Sequence, residues 1–319
     1  MKKIISICLI FVLSLSFIPS PISAKKKPAK GSVFTYTLDG ASVWLVKDMN
    51  GLKKGQKGVI VTTKDGYFKV KISNKTKWVD NEYCMIDLAD VETGIDYKIT
   101  NSFSSVFKSS GKNISGVTGK KITHYRNGKT YNKRLGKKEY VVPLLYPTAK
   151  KVKKAKDKLK KQGYTLVIYD TYRPHSAQKY VNGKFSNLIK KNKKVRENIN
   201  KYGFGESWFL AQNISSHSMG VALDCTIKNS KMSSAIHELS TKARLTNYPI
   251  ATGSVNKSNF THDNKKNKKL MALQDAFMDS GMKSLSSEWW HFQDGTATQG
   301  TMEKVYKAVK SNGLDFIAY

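Results

Sequence analysis

Hydrophobic and polar positions change rhythm along this chain. Between residues 33 and 88, short apolar stretches alternate with polar residues and are cut by glycine-containing turns. Val33-Phe34, Val43-Trp44-Leu45, Val59-Ile60-Val61, Tyr67-Phe68-Lys69-Val70 and Lys77-Trp78-Val79-Asp80 are the stretches in question. Strands about ten residues apart with such turns predict a small all-β barrel. Residues 89–140 mix Ser, Asn and Gly runs with short apolar pieces and predict only irregular structure. From Pro147 the period lengthens. Val152, Ala155 and Leu159 share one face of a predicted helix that opens at Pro147 and stops at Gly163. Thr165 to Tyr169 reads as a buried strand, 176–201 as a polar helical stretch and 202–209 as an aromatic loop. Leu270, Leu273 and Phe277 mark a helix ending at Gly281, and Val305 and Val309 mark a last one near 299–312. Helices and strands mix without regular β-α-β alternation and no internal repeat is visible, so an α+β domain is expected behind the barrel.

Composition adds a compartment. Lys2 and Lys3 precede an apolar run from Ile4 to Ile18, then Pro19, Pro21 and a small-residue end at Ser23-Ala24. That is the layout of a secretory signal peptide cut after Ala24, and the run is short of the ~20 residues a membrane span needs. Cys84 and Cys225 stand about 140 positions apart, which is no disulfide framework, and they read as small buried hydrophobes. The formal charge of +33 steers the protein toward polyanions. Export and the lack of a nucleic-acid-binding motif leave anionic wall polymers as the expected partner, with no nucleic acid.

Two segments carry the chemistry: S-S-H-S-M-G-V-A-L-D at 215–224 and E-W-W-H at 288–291. They supply His217, Asp224 and His291, with Glu288 close by. Two imidazoles and a carboxylate are the ligand set of a catalytic zinc site, whose fourth position stays open for water. Gly220 lets the chain turn between His217 and Asp224. Glu288 and His291 are three apart, an odd spacing that puts them on opposite faces of a regular strand. A bend, a bulge or a helical turn is needed for them to share a site. Trp289 and Trp290 line the pocket or pack in the core. Arg173, between a predicted strand and Pro174, either neutralises an oxyanion, holds a substrate carboxylate, or pairs with Asp170. His124, His237 and His262 sit in polar surroundings and read as solvated, and His175 as peripheral.

The trio Y-D-T-Y-R-P-H-S-A-Q, S-S-H-S-M-G-V-A-L-D and E-W-W-H-F resembles the zinc D-alanyl-D-alanine dipeptidases of the vancomycin-resistance type, together with related D,D-carboxypeptidases and peptidoglycan L,D-endopeptidases. The resemblance spans about 95–300. It implies His217, Asp224 and His291 on Zn2+, Glu288 as general base, Arg173 stabilising the transition state, and Ser215 near the substrate. One stretch departs from it: residues 228–262 do not match the Met-Gly-Thr and Phe-Asp positions usual in the dipeptidases. In front of it, K-K-G-Q-K-G-V-I-V, D-G-Y-F-K-V and K-W-V-D-N-E-Y resemble a bacterial SH3-like domain.

The expected organisation is therefore a signal peptide at 1–24, a basic linker at 25–32, an SH3-like domain at 33–90 and a zinc D-Ala-D-Ala peptidase domain at 91–319, mainly antiparallel sheet with flanking helices. The expected protein is a secreted, wall-associated monomer. It acts on D-Ala-D-Ala-type peptides or peptidoglycan, with an L,D-endopeptidase and a non-catalytic wall-binding protein as the alternatives.

Overall fold

The computed structural model describes residues 33–34, 37–98, 107–114, 142–173 and 175–295, and the backbone at 122–126 and 129–133. The signal peptide, the basic linker and the helix expected near 299–312 lie outside these residues.

Four of the five N-terminal stretches form strands: β1 (Ser42–Leu45), β2 (Lys57–Lys64), β3 (Tyr67–Ile72) and β4 (Lys75–Asp80). Val33-Phe34 is a bend instead, and the fifth strand is β5 (Cys84–Asp87), which the pattern did not single out. A 3-10 turn at Asn81–Tyr83 joins the last two, with the Asp80 carboxylate accepting from the Glu82 N–H. Every pairing in this sheet is antiparallel. The order is β11-β5-β1-β2-β3-β4, where β11 is Pro143–Leu145, far along the chain. A short helix, α1 (Leu88–Val91), follows β5 and is capped by Asp87.

The second sheet carries Asp224, Glu288 and His291. Its strands are β6 (Ile95–Tyr97), β12 (Leu166–Asp170), β13 (Ala222–Ile227), β14 (Lys283–Leu285) and β15 (Glu288–Gln293), in the order β14-β15-β13-β12-β6. All pairs are antiparallel except β6 with β12. Two hairpin-like pairs lie outside both sheets: β7 (Lys108–Ser109) with β8 (Lys112–Asn113), and β9 (Ile122–Arg126) with β10 (Lys129–Lys133).

Helix α2 (Tyr146–Lys161) buries Val152, Ala155 and Leu159 as the pattern predicts, with lysines on its outer face. The polar helical stretch is two helices, α3 (His175–Lys191) and α4 (Lys193–Asn200). Asn192 breaks it: its side chain accepts from the Val195 N–H and so starts a new helix. The aromatic loop contains a one-turn helix, α5 (Glu206–Phe209), and α6 (His262–Lys266) precedes α7 (Lys268–Asp279). Helix α7 buries Leu270, Leu273 and Phe277, the face predicted for it. Among the described residues, no helix is long and apolar enough to cross a membrane.

Packing is continuous across residue 90. One hydrophobic cluster runs from Val43 and Phe68 in the first sheet, through Leu88 and Val152, to Ile168, Leu223 and Phe292 in the second. A smaller cluster joins Trp44, Tyr83, Met85 and Leu145 to Tyr172, Met219 and Val221, which flank the predicted site residues.

Candidate metal centre and active site

His217 stands in a 3-10 turn (His217–Met219) that ends at Gly220 with φ +68°, the left-handed region where glycine is at ease. A Cβ at Gly220 would also lie 2.6 Å from the Met85 side chain. The turn feeds β13, where Asp224 faces the site while Cys225 faces the core. Cys84 and Cys225 are both buried and free, as expected.

His291 lies opposite Asp224 in the β13–β15 register. The odd spacing from Glu288 is absorbed by a bulge: Ser284 pairs with Phe292, yet the next residue, Leu285, pairs with Glu288. Glu288 and His291 thus reach one site, with Glu288 Oε2 4.0 Å from His291 Nδ1.

The three predicted ligands meet. His217 Nε2 is 3.1 Å from His291 Nδ1, His291 Nδ1 is 3.1 Å from Asp224 Oδ1, and His217 Nε2 is 3.3 Å from Asp224 Oδ1. Bonds of ~2.0–2.1 Å to one tetrahedral ion place ligand atoms about 3.3 Å apart, so this triangle has the size of one face of such a shell. The tautomers agree. His217 donates Nδ1–H to the Thr171 carbonyl at 2.6 Å, and His291 donates Nε2–H to Gln293 Oε1 at 3.2 Å. Each imidazole therefore turns a lone pair inward, toward the other and toward a carboxylate oxygen. Two lone pairs and an anionic oxygen at this range repel unless a cation lies between them. The residues fit a metal ion.

Electrostatics follows from burial. Burial pushes the Asp224 carboxyl up, but the imidazoles gathered around it, His217 first and His237 and His291 with it, outweigh burial and hold Asp224 well below the usual carboxylate range. Burial lowers the proton affinity of His217, the state a ligand needs. Burial and the charge of Asp224 push Glu288 well above the usual range, with Arg173 partly offsetting them.

Arg173 is buried and does what the plainer reading said: its Nε and Nη2 donate to Asp170 Oδ2 at 3.1 and 2.7 Å. It also reaches Gln178 Oε1 at 2.7 Å and Asp224 Oδ2 at 3.4 Å. Burial opposes its charge, but Asp170 and Asp224 more than compensate, and the guanidinium stays protonated. A cavity of about 370 Å³ opens over these groups, lined among others by Arg173, Ser215, His217, Glu288 and Trp208. Ser215 Oγ accepts from the His217 N–H at 3.2 Å.

Two sequence readings need correction and one open alternative is settled. His237 is not solvated: it is buried and donates Nε2–H to Asp224 Oδ2 at 3.0 Å. Its place in the sequence gave no sign of this, because the contact spans 13 residues and a reversal of the chain. Trp289 and Trp290 both belong to the core, and Trp208 of the aromatic loop lines the cavity instead. Residues 89–140 are not merely irregular: Ile95–Tyr97 is a strand of the catalytic sheet and Phe107 lines the cavity. His262 is exposed and His175 half-buried at the head of α3, as expected; the side chain of His124 lies outside the described residues.

Residues 123–312 match the model of the M15 peptidases, described as D-ala-D-ala dipeptidase. The chain belongs to this family. It is a hydrolase family acting on peptides and generally metal-dependent, in keeping with the converging donors. No curated protein matches the sequence. Among solved structures, similarity extends to VanYB in complex with D-alanine-D-alanine, at 10% identity, covering 65% of this chain and 97% of that one, with a TM-score of 0.30. It extends also to the LdcB LD-carboxypeptidase, at 14% identity, covering 66% and 96%, with a TM-score of 0.29.

Proposed function

We propose that this M15 peptidase is an exported zinc enzyme that hydrolyses D-Ala-D-Ala-type peptide bonds in cell-wall peptides, as a dipeptidase or D,D-carboxypeptidase. The reading is carried by the inward-facing triangle of His217 Nε2, Asp224 Oδ1 and His291 Nδ1 beside the buried carboxyl of Glu288. Two nitrogens and one oxygen suit Zn2+, which when bound supplies a Lewis acid and lowers the pKa of water from 15.7 toward ~7.

The chain's own groups do the rest. Glu288 takes a proton from the attacking water and passes it to the leaving amine, a contribution worth about 10²–10⁴-fold. Its raised proton affinity suits the second half of that task. Arg173 presents a fixed positive charge at the cavity wall, where an oxyanion develops or a substrate carboxylate docks. Ser215 offers a hydroxyl to the substrate from the same wall. The N-terminal sheet, with its 3-10 turn before β5, we read as the SH3-like, wall-binding part. Tyr67 and Trp78 are exposed on it, and Tyr67→Ala in the full chain should reduce sedimentation with cell walls.

The deciding experiment incubates the mature, zinc-loaded protein with D-Ala-D-Ala, with a pentapeptide ending in D-Ala-D-Ala, and with intact peptidoglycan, and identifies products by mass. Release of D-Ala from either of the first two is expected. Cleavage only inside the stem peptide would replace this reading with the L,D-endopeptidase. No product from any of the three, with zinc bound, would leave a wall-binding protein. Glu288→Ala should retain zinc and lose turnover; normal turnover in that variant sinks the mechanism.

A further inference from the structure

The Asp224 carboxylate is shared between two faces. Oδ1 belongs to the His217–His291 triangle, while Oδ2 points away from it, toward His237 Nε2 at 3.0 Å and Arg173 Nη2 at 3.4 Å. His237 is buried, with only 2% of its surface exposed, and its backbone is held at φ +59°, unusual for a residue with a side chain. The surroundings enforce that conformation. Its carbonyl accepts from the Lys108 N–H at 3.0 Å, and its ring stacks on Phe107 at 4.7 Å between centroids. Lys108 in turn accepts from the Leu239 N–H at 2.7 Å, and Ser109 Oγ donates to the Leu239 carbonyl at 2.6 Å. Asp170, Asp224 and His237 also gather ligand atoms within 4.8 Å, a second set that shares Asp224 with the first. The Arg173 guanidinium already fills it, bonded to Asp170 Oδ2 at 2.7 and 3.1 Å. A second cation there would meet a fixed positive charge.

We propose that His237 is a positioning residue for the metal centre: with Arg173 occupying the adjoining set, its Nε2–H holds Oδ2 so that Asp224 offers a single oxygen to a single ion. This rests on the metal reading above. Groups that hold a ligand from behind in this way typically change metal affinity 10–100-fold when removed.

The test compares His237→Gln, which keeps a donor on an unbranched side chain, with His237→Met, which keeps the bulk without it. Each full-length, metal-free protein is titrated with Zn2+ against a competing chelator, and its Co2+ form is read by visible absorption. The expected result is one ion per chain in the wild type, about 10–100-fold weaker zinc binding and an altered Co2+ spectrum in His237→Met, and substantial recovery of both in His237→Gln. Circular dichroism of the metal-free forms checks folding. If His237→Met fails to fold, His237→Gln alone decides, since a donor at that position should keep binding within a few-fold of wild type. Wild-type affinity and spectrum in a folded His237→Met, tenfold weaker binding in a folded His237→Gln, or two ions per wild-type chain would overturn the proposal. A wild type that binds no zinc would overturn the metal reading itself, a different result.

Discussion

The two sheets of this protein treat buried charge in opposite ways. In the N-terminal sheet and its junction with α2, buried ionisable groups sit beside hydrogen-bonding partners. Lys156 meets Glu92 at 2.7 Å, and Asp87 accepts the N–H groups of Ala89 and Val142 at 3.0 Å each. In the catalytic sheet, His217, Asp224, His291 and Glu288 converge beneath one cavity, with lone pairs aimed at a common point. The first arrangement stabilises the fold by giving these buried groups hydrogen-bonding partners. The second gathers donors that fit a cation, which is why the proposed chemistry is placed there.

Substitutions can break this contrast, beginning with the largest effect. His217→Ala removes one of three ligands and should abolish stoichiometric zinc binding and hydrolysis together, measured by metal analysis and product release. Full zinc occupancy in that variant would show the triangle to be coincidental. Lys156→Met should act on stability alone. It removes the ammonium paired with the buried Glu92 carboxylate and should cost about 3–5 kcal/mol in urea unfolding, with zinc affinity unchanged in the folded protein.

Asp87 supplies a pH test. Burial, aided by the charge of Asp90, raises its pKa from 3.8 to about 7 against the pull of its two N–H donors. The folded state therefore keeps a proton that the unfolded state releases, so this contribution is full below about pH 4 and fades as pH climbs through about 7. Asp87→Asn, which keeps the acceptor, should be more stable than wild type at pH 8 by roughly 1–4 kcal/mol and no better at pH 4. An advantage that does not vary with pH would refute the assignment. The smallest effect belongs to Lys53→Ala: its pair with Asp48 lies in solvent, and the urea midpoint should not move.

What could be read from the residues divides along range of interaction. Helices α2 and α7 and strands β1 to β4 follow local periodicity and appear where the pattern puts them. His217, Asp224, His291 and Glu288 were visible because their types and order are restrictive. The missing parts depend on distant chain. Strand β11 is three residues long and enters a sheet built some sixty residues earlier, by pairing with β5. Strand β6, equally short, carries no period and owes its place to a parallel neighbour, β12. The bulge that lets Glu288 join His291 is set by the partner strand, so the sequence showed the need for it and not its form. His237 is the sharpest case: its neighbours in sequence are Ile236 and Glu238, and its neighbours in space are Phe107, Trp290 and Asp224.

The Leu145 N–H, on the strand that extends the N-terminal sheet, donates to the Gly220 carbonyl at 2.8 Å, and Met85 lies under the same turn. The floor on which the first histidine stands is thus laid partly by the N-terminal sheet. The turn that carries His217 and the strand that ends the N-terminal sheet are one mechanical unit: a side chain that displaces Met85, or a shift of Leu145, moves the histidine with it.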